Sequence, residues 1–441
     1  MRLRPPRPAS IVIGRAARAL TRLRGGSGSA FPGLVVEKLD PSFLARTLAQ
    51  LPRGVVVVSG TNGKTTTTKM VVELLRGQGL KVFTNRSGSN FTRGVVASLV
   101  GDLGLRGRLD ADIAVLELDE AHAVHFVRAV APQYALLLNV MRDQLDRFGE
   151  IDTTARLLRS IAAATTDGVV LNREDPRVAA IAESLGEQQV RHFGLAPQLR
   201  SHFPSDDDHH SAAAAGPGGE DAEHADAAHT DSPDADVVLT ALKDQGGTFR
   251  IDGEELTTRL SVNGAYNTYN AAAALALVRL VMGEALNPSA LLDSLTRVTP
   301  AFGRGESLTV EGQPVDLVLV KNPAGFRLGL SSFSAQGVAT MIAINDDYAD
   351  GRDMSWLWDV SFDSLADDGV AMVSGVRTYD MALRLSYDDV SIDALNPDLK
   401  TALDEFLSAH PQQPKRIFCT YTAMLGLRRH LSAYTHVEEF A

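Results

Sequence analysis

Apolar positions along the chain recur in two rhythms. Short aliphatic and β-branched runs at 55–58, 81–85, 113–118, 134–140, 169–171 and 190–194 read as buried strands. Helix-spaced apolar positions fall between them, as with Met70, Val71, Leu74 and Leu75. Strand and helix in alternation over 54–200 predict a mostly parallel α/β sheet. β-like material follows at 237–250, a turn at Gly253, and an alanine-rich helix over 271–282. A second series of strand-like runs, at 315–320, 340–344, 370–374 and 416–421, predicts another α/β domain. The pattern changes at AFGRGE, residues 301–306, where flanking glycines mark a junction. The expected organisation is a basic helical segment over 1–50, a central domain over 51–302 and a C-terminal domain over 303–441.

One stretch organises this pattern. Val55, Val56, Val57 and Val58 lead into Gly60-Thr61-Asn62-Gly63-Lys64-Thr65-Thr66, and a helical pattern follows. Strand, glycine loop and helix form the context of a phosphate-binding loop, here in the short G-x-x-G-K-T form. Glycines let the backbone approach a polyphosphate, and successive N–H groups at the helix start face the anion. Lys64 is placed to reach the outer phosphates, and Thr65 to offer its hydroxyl to magnesium. The apolar run at 113–118 is interrupted by Glu117, at the carboxyl end of a strand where ligands of open α/β sheets gather. Glu117 is therefore the expected partner of Thr65 at Mg2+, whereas Asp119 and Glu120 fit helix capping.

Other candidates lie downstream. Asn267 and Asn270 are three apart, share one helix face, and carry amides able to read an adenine edge. Arg304 is placed to reach phosphates from the junction. The Asp/Arg alternation in MRDQLDRFG, residues 141–149, serves either the site or surface ion pairing. NDDYADGRDMSWLWD, residues 345–359, holds both tryptophans of the chain in a loop after a strand, a composition typical of sites and interfaces.

Composition narrows the class. The 441 residues suffice for two or three domains, are 44% hydrophobic, and hold no apolar run of membrane-spanning length. The single cysteine, Cys419, reads as a buried small hydrophobe; it excludes internal disulfides and cysteine-based zinc sites and fits a reducing cytoplasm. The formal charge of −11 is local: ten acids and no lysine or arginine fall between Phe203 and Leu242, leaving the rest near −1. Residues 201–236 read as a disordered acidic insertion, whose five histidines lack metal-ligand spacing. No surface for nucleic acid is indicated. The first 24 residues carry seven arginines among apolar residues. The expectation is a helix packed on the first domain with its arginines in solvent; a basic amphipathic helix on an anionic membrane surface is the alternative.

Taken in order, GTNGKTTT, LELDE, NVMRDQLDRFGEID, LNREDP, NGAYNTYNAAAA, FGRGE, KNPAG and NDDYADGRDMSWLWD resemble the MurT family, Mur-ligase-like subunits of lipid II isoglutaminyl synthases. The resemblance covers nearly the whole chain outside 201–236; the first motifs are general to Mur ligases and the last two are particular to MurT. It implies a Mur-ligase-like central P-loop ATPase domain and a Rossmann-like C-terminal domain. It implies ATP- and Mg2+-dependent amidation of the D-glutamate α-carboxylate of lipid II to D-isoglutamine, through an acyl phosphate, in peptidoglycan synthesis. It implies that ammonia comes from a GatD-like glutaminase in a heterodimer; the residues agree to the extent that this chain holds no Cys/His constellation, so glutamine, as nitrogen donor, must be hydrolysed by a partner. The resemblance further implies that Asp353 orients the partner's catalytic histidine, and that the reaction lies at the inner membrane face. Many family members carry a four-cysteine zinc ribbon; here the acidic insertion takes its place, so no zinc site is expected. Two readings stay open: a ligase that adds a whole amino acid, and a non-catalytic ATP-binding regulator of cell-wall assembly.

Overall fold

Val55–Ser59 forms β1, with every residue buried. Val56 and Val58 face one hydrophobic core and Val55 and Val57 the other, so both sheet faces are covered. Full burial of each valine contributes about 1.5–3 kcal/mol. In this computed structural model, the described residues are 6–23, 31–85, 90–104, 106–141, 150–203, 234–243, 245–262, 264–299, 304–333 and 335–437. The expected insertion core at 204–233, with four of its five histidines, and the 142–149 alternation lie outside them, as do 86–89.

The first sheet adds β2 (Val82–Thr84), β3 (Ile113–Glu117), β4 (Tyr134–Leu137), β5 (Gly168–Asn172), β6 (Gln189–Leu195), β7 (Val237–Lys243), β8 (Gly246–Ile251) and β9 (Glu254–Thr258). Its order is β2-β3-β1-β4-β5-β6-β7-β8-β9. Pairing is parallel from β2 to β7, and β7-β8-β9 form an antiparallel meander. After β1 the chain crosses to β2 and β3 on one side, then returns to β4 on the other. The crevice at this reversal, beyond the carboxyl ends of β1 and β4, is where such sheets bind ligands.

Helices cover both faces. On the first core pack α4 (Lys64–Gly77) and the helix Ala265–Met282, in which Ala271, Ala272, Ala273 and Ala274 are wholly buried. The second core receives α1 (Pro8–Leu23), α2 (Phe31–Leu39), α3 (Phe43–Leu48), α5 (Thr92–Asp102), α6 (Glu120–Ala129) and α7 (Glu150–Ala164). The four-residue turn Pro176–Ala179 is α8, which makes Ala265–Met282 α9 and Pro288–Leu295 α10.

The expected arginine face of α1 is not what solvent meets. Ser10, Ile11, Gly14 and Ala17 are buried, while Ala9, Val12, Ile13, Ala16, Ala19 and Leu20 are exposed. Arg15 is half-buried and donates to the carbonyls of Val100 and Leu103 at the end of α5. Periodicity cannot say which of two apolar faces packs; here the glycine face does, because Gly14 lets Val36 and Val100 come close.

The second sheet contains β10 (Arg304–Val310), β11 (Gln313–Leu319), β12 (Ala339–Ala343), β13 (Met372–Ser374), β14 (Leu395–Asn396) and β15 (Lys415–Cys419), in the order β10-β11-β15-β12-β13-β14. Only β10-β11 is antiparallel. Its helices are α11 (Pro323–Ser332), α12 (Thr378–Ser386), α13 (Leu399–Ala409) and α14 (Tyr421–Leu431). Cys419 is fully buried, and burial pushes its thiol pKa far up, so it serves as core. Among the described residues no helix is long and apolar enough to cross a membrane.

Candidate active site

The loop after β1 turns on two glycines with positive φ, Gly60 at +136° and Gly63 at +85°. A Cβ on Gly60 would stand 2.9 Å from the Asn139 nitrogen, and one on Gly63 2.7 Å from Asn270 Oδ1. These close approaches reserve both positions for glycine. The loop is strapped to the end of β4: Thr61 N donates to Asn139 O (3.0 Å), Asn62 N to Asn139 Oδ1 (2.8 Å), and Asn139 Nδ2 to Asn62 O (3.1 Å). Lys64 and Thr65 open α4, with Thr66 beside them on its first turn.

Lys64 is buried, donates to the carbonyls of Gly60 and Thr61, and pairs with Glu120 at 3.4 Å. Thr65 Oγ1 donates to Glu117 Oε1 at 2.7 Å. Glu117 ends β3, and its backbone is held on both sides by the Asn85 amide at 2.9 Å. Two hard oxygen donors thus face each other beside the phosphate loop, a set suited to magnesium. Asp119 instead caps α6 through Ala121 N.

The second domain closes over the same loop. Lys321 Nζ donates to Thr61 O at 3.1 Å. Asn322, fully buried, caps α11 through Gly325 N and exchanges amide hydrogen bonds with Asn62 at 3.3 and 3.4 Å. A cavity of about 280 Å³ lies here, lined by Lys64, Glu117, Asn267, Asn270 and Lys321 among others. A second of about 220 Å³ opens past Asn270 and Tyr266, walled by Phe193, Phe203 and Tyr269. Both aromatic pairs with Tyr269 are tilted, 5.2 and 5.3 Å between centroids. In this apolar slot the Tyr269 hydroxyl donates to Asn172 Oδ1, and burial holds its pKa well above the ordinary value.

The structure divides the asparagine pair. Asn270 is buried with an Nδ2 that has no hydrogen-bond partner and lines both cavities, whereas Asn267 lines only the phosphate-loop cavity. The Arg304 backbone opens β10, but its side chain lies outside the described residues. Asp353 lines neither cavity. It sits in the loop after β12, where its carboxylate accepts from Ser355 Oγ and Ser355 N, which hold its pKa below the usual carboxylate range.

Sequence reasoning passed over Asn139, Tyr266, Lys321, Arg327 and Asp175. Asn139 was visible as the first polar residue after an apolar strand; the others depend on tertiary contact. Asp175 is buried, accepts from Val140 N, Arg177 N and Val178 N, and burial raises its pKa to about 6 despite those donors. Arg327 comes from α11 to the second cavity, with a buried Nε that has no hydrogen-bond partner.

Two family models match the chain: the Mur ligase middle domain over residues 58–278 and the MurT ligase C-terminal domain over 319–424. A curated relative from Streptococcus pneumoniae, the lipid II isoglutaminyl synthase (glutamine-hydrolyzing) subunit MurT, is 30% identical with 96% of each chain covered. Its namesake from Staphylococcus aureus strain COL is 26% identical over 87% of this chain and 88% of its own. Among solved structures, MurF ligase from Thermotoga maritima in complex with ADP superposes with a TM-score of 0.66, at 17% identity, over 90% of this chain and 83% of that one. Folylpolyglutamate synthase from Mycobacterium tuberculosis, complexed with ADP and AMPPCP, gives 0.58 at 16% identity over 99% and 97%. At such identities these structures speak to the fold. With both halves matched by family models and a relative aligned end to end, the chain belongs to the MurT family of Mur-type ligases.

Proposed function

We propose that this protein is the ATP-dependent synthetase subunit of a lipid II isoglutaminyl synthase. It would convert the α-carboxylate of D-glutamate in the lipid II stem peptide to the amide of D-isoglutamine. The observation that carries this reading is the Thr65–Glu117 contact of 2.7 Å, set beside Lys64 and under Lys321 of the second domain. A purely structural protein has no use for a lysine and a carboxylate buried at the start of a glycine-capped helix with a second, half-buried lysine reaching the same loop from the other domain.

The chemistry follows from the placement. The N–H groups at the start of α4 and the Lys64 ammonium hold the phosphates of ATP. Thr65 and Glu117 are the residues that would hold magnesium, which neutralises phosphate charge when bound. Tyr266 and Asn270 stand between the phosphate side and the aromatic slot, so adenine belongs in the slot with the free Asn270 amide as a donor to a ring nitrogen. A substrate carboxylate oxygen attacks the γ-phosphorus, ADP departs, and an acyl phosphate results. Ammonia then attacks the acyl carbon, the carbon–oxygen bond to phosphate breaks, and the nitrogen loses a proton. Lys321 faces the negative charge that builds in both steps.

Ammonia requires a donor, and the only cysteine is inert in the core. We infer a GatD-like glutaminase partner, docked on the second domain, whose catalytic histidine Asp353 orients. Support comes from the loop that carries Asp353 and from α12 and its flanks, which that loop touches through Trp358. Tyr348, Val376, Tyr379 and Tyr387 are 65–90% exposed, and Trp358 stacks edge-on against Tyr387 at 5.1 Å. Exposed aromatics in such number mark an interface. Because lipid II is membrane-bound, the reaction is placed at the inner membrane surface. Release of phosphate from ATP should require lipid II and ammonium together; phosphate release indifferent to lipid II would overturn the assignment.

A further inference from the structure

We propose that the outer face of α1 is a docking surface for an anionic lipid bilayer. The helix carries apolar residues on its outward side as well as on the side it packs. Its inner side packs on α2 and α5 through Ser10, Ile11, Gly14 and Ala17. The outer side carries Val12 (56% exposed), Ile13 (42%) and Leu20 (59%), with Ala9, Ala16 and Ala19 completing a stripe at helical spacing. From Ala9 to Leu20 it runs for roughly 16 Å. Among the described residues nothing covers it.

Charge selects the occupant. The first 36 residues contain seven arginines and neither aspartate nor glutamate, in a chain whose net charge is −11. Arg7 is exposed just before the helix. The turn carrying exposed Arg106 and Arg108 lies against that end, since a Cβ on Gly107 would stand 3.0 Å from Pro6 O. Apolar side chains on one helix face, bordered by arginines, match the boundary between acyl chains and anionic headgroups. A water-exposed stripe bordered by cations fits a second protein copy less well, because two copies would bring like charges together.

The docking stands independently of the ligase reading, which supplies only its purpose: holding the site against a substrate anchored in the same bilayer. α5, beneath α1, starts beside Asn90, which lines the phosphate-loop cavity.

The test is sedimentation of the full-length protein, with its partner if one copurifies, on two kinds of vesicle. One kind mixes phosphatidylglycerol with phosphatidylcholine; the other is phosphatidylcholine alone. The expected result is binding to the anionic vesicles, weakened by salt, and at least ~10-fold weaker for the combined Val12→Ser, Ile13→Ser and Leu20→Ser variant. Arg7→Gln with Arg106→Gln and Arg108→Gln, away from the packed face, should weaken binding as well and guards against a folding defect in the first variant. No sedimentation of the parent protein, or binding unchanged in both variants, overturns the proposal. Loss of a dimer or of the copurifying partner in the serine variant would also overturn it, in favour of a protein occupant. Amidation of detergent-dispersed lipid II should persist in both variants, so failure of the ligase reading shows in that assay and not in sedimentation.

Discussion

Glu117 reaches Thr65 because two adjacent parallel strands end level: Val58 lies opposite Glu117 in register, and the loop after β1 brings Thr65 back over the strand ends. That meeting was legible in sequence as a polar residue closing an apolar run. Lys321 was not, since its neighbour Thr61 is 260 residues away. Lys321→Met should lower the rate of amide formation about 10²-fold with the fold intact; an unchanged kcat would remove it from the reaction. Asp175 gives a test by pH. Burial raises its folded pKa from 3.8 to about 6, so the folded state favours the protonated acid. Its contribution to stability is therefore fully present below pH 3.8 and is lost as pH rises through about 6, a swing on the order of 3 kcal/mol. Denaturation of the parent and of Asp175→Asn at acid and neutral pH should show the parent losing ground relative to the variant as pH rises. A constant difference would mean that Asp175 titrates normally.

At the scale of elements, the glycine loop and α4 are set by backbone geometry. Gly63→Ala should strain a residue held at φ +85° and push against Asn270, weakening nucleotide binding severely in calorimetry. Gly79→Ala is the matched control: its φ is also +85°, but nothing lies within 4 Å of the added carbon, so nucleotide affinity should hold. If both variants bind nucleotide alike, close packing of Gly63 against α9 is not what shapes the loop. The valine run of β1 and the alanine helix α9 could be read from pattern alone, because burial on both faces leaves a continuous apolar signature. The outer face of α1 could not be read so. Two apolar faces on one helix carry no sequence mark of which one meets protein, and the packing of Gly14 decides it.

At the scale of the whole molecule, two domains meet over one loop, and the Asp353 loop of the second domain is where the proposed partner would dock. Asn62 and Asn322 join the domains through paired amides. Asp353 belongs to neither cavity. Asp353→Asn should therefore depress glutamine-driven amidation far more than amidation driven by ammonium salt; equal loss in both would reject its role across the interface. The most direct measurement is mass spectrometry of lipid II incubated with this protein, ATP and magnesium. Parallel reactions would contain ammonium salt, glutamine, and glutamine with a copurified glutaminase. The account predicts a carboxylate-to-amide change with ammonium, and with glutamine only when the partner is present. Addition of a whole amino acid, or ATP bound but unspent with lipid II unchanged, would contradict it.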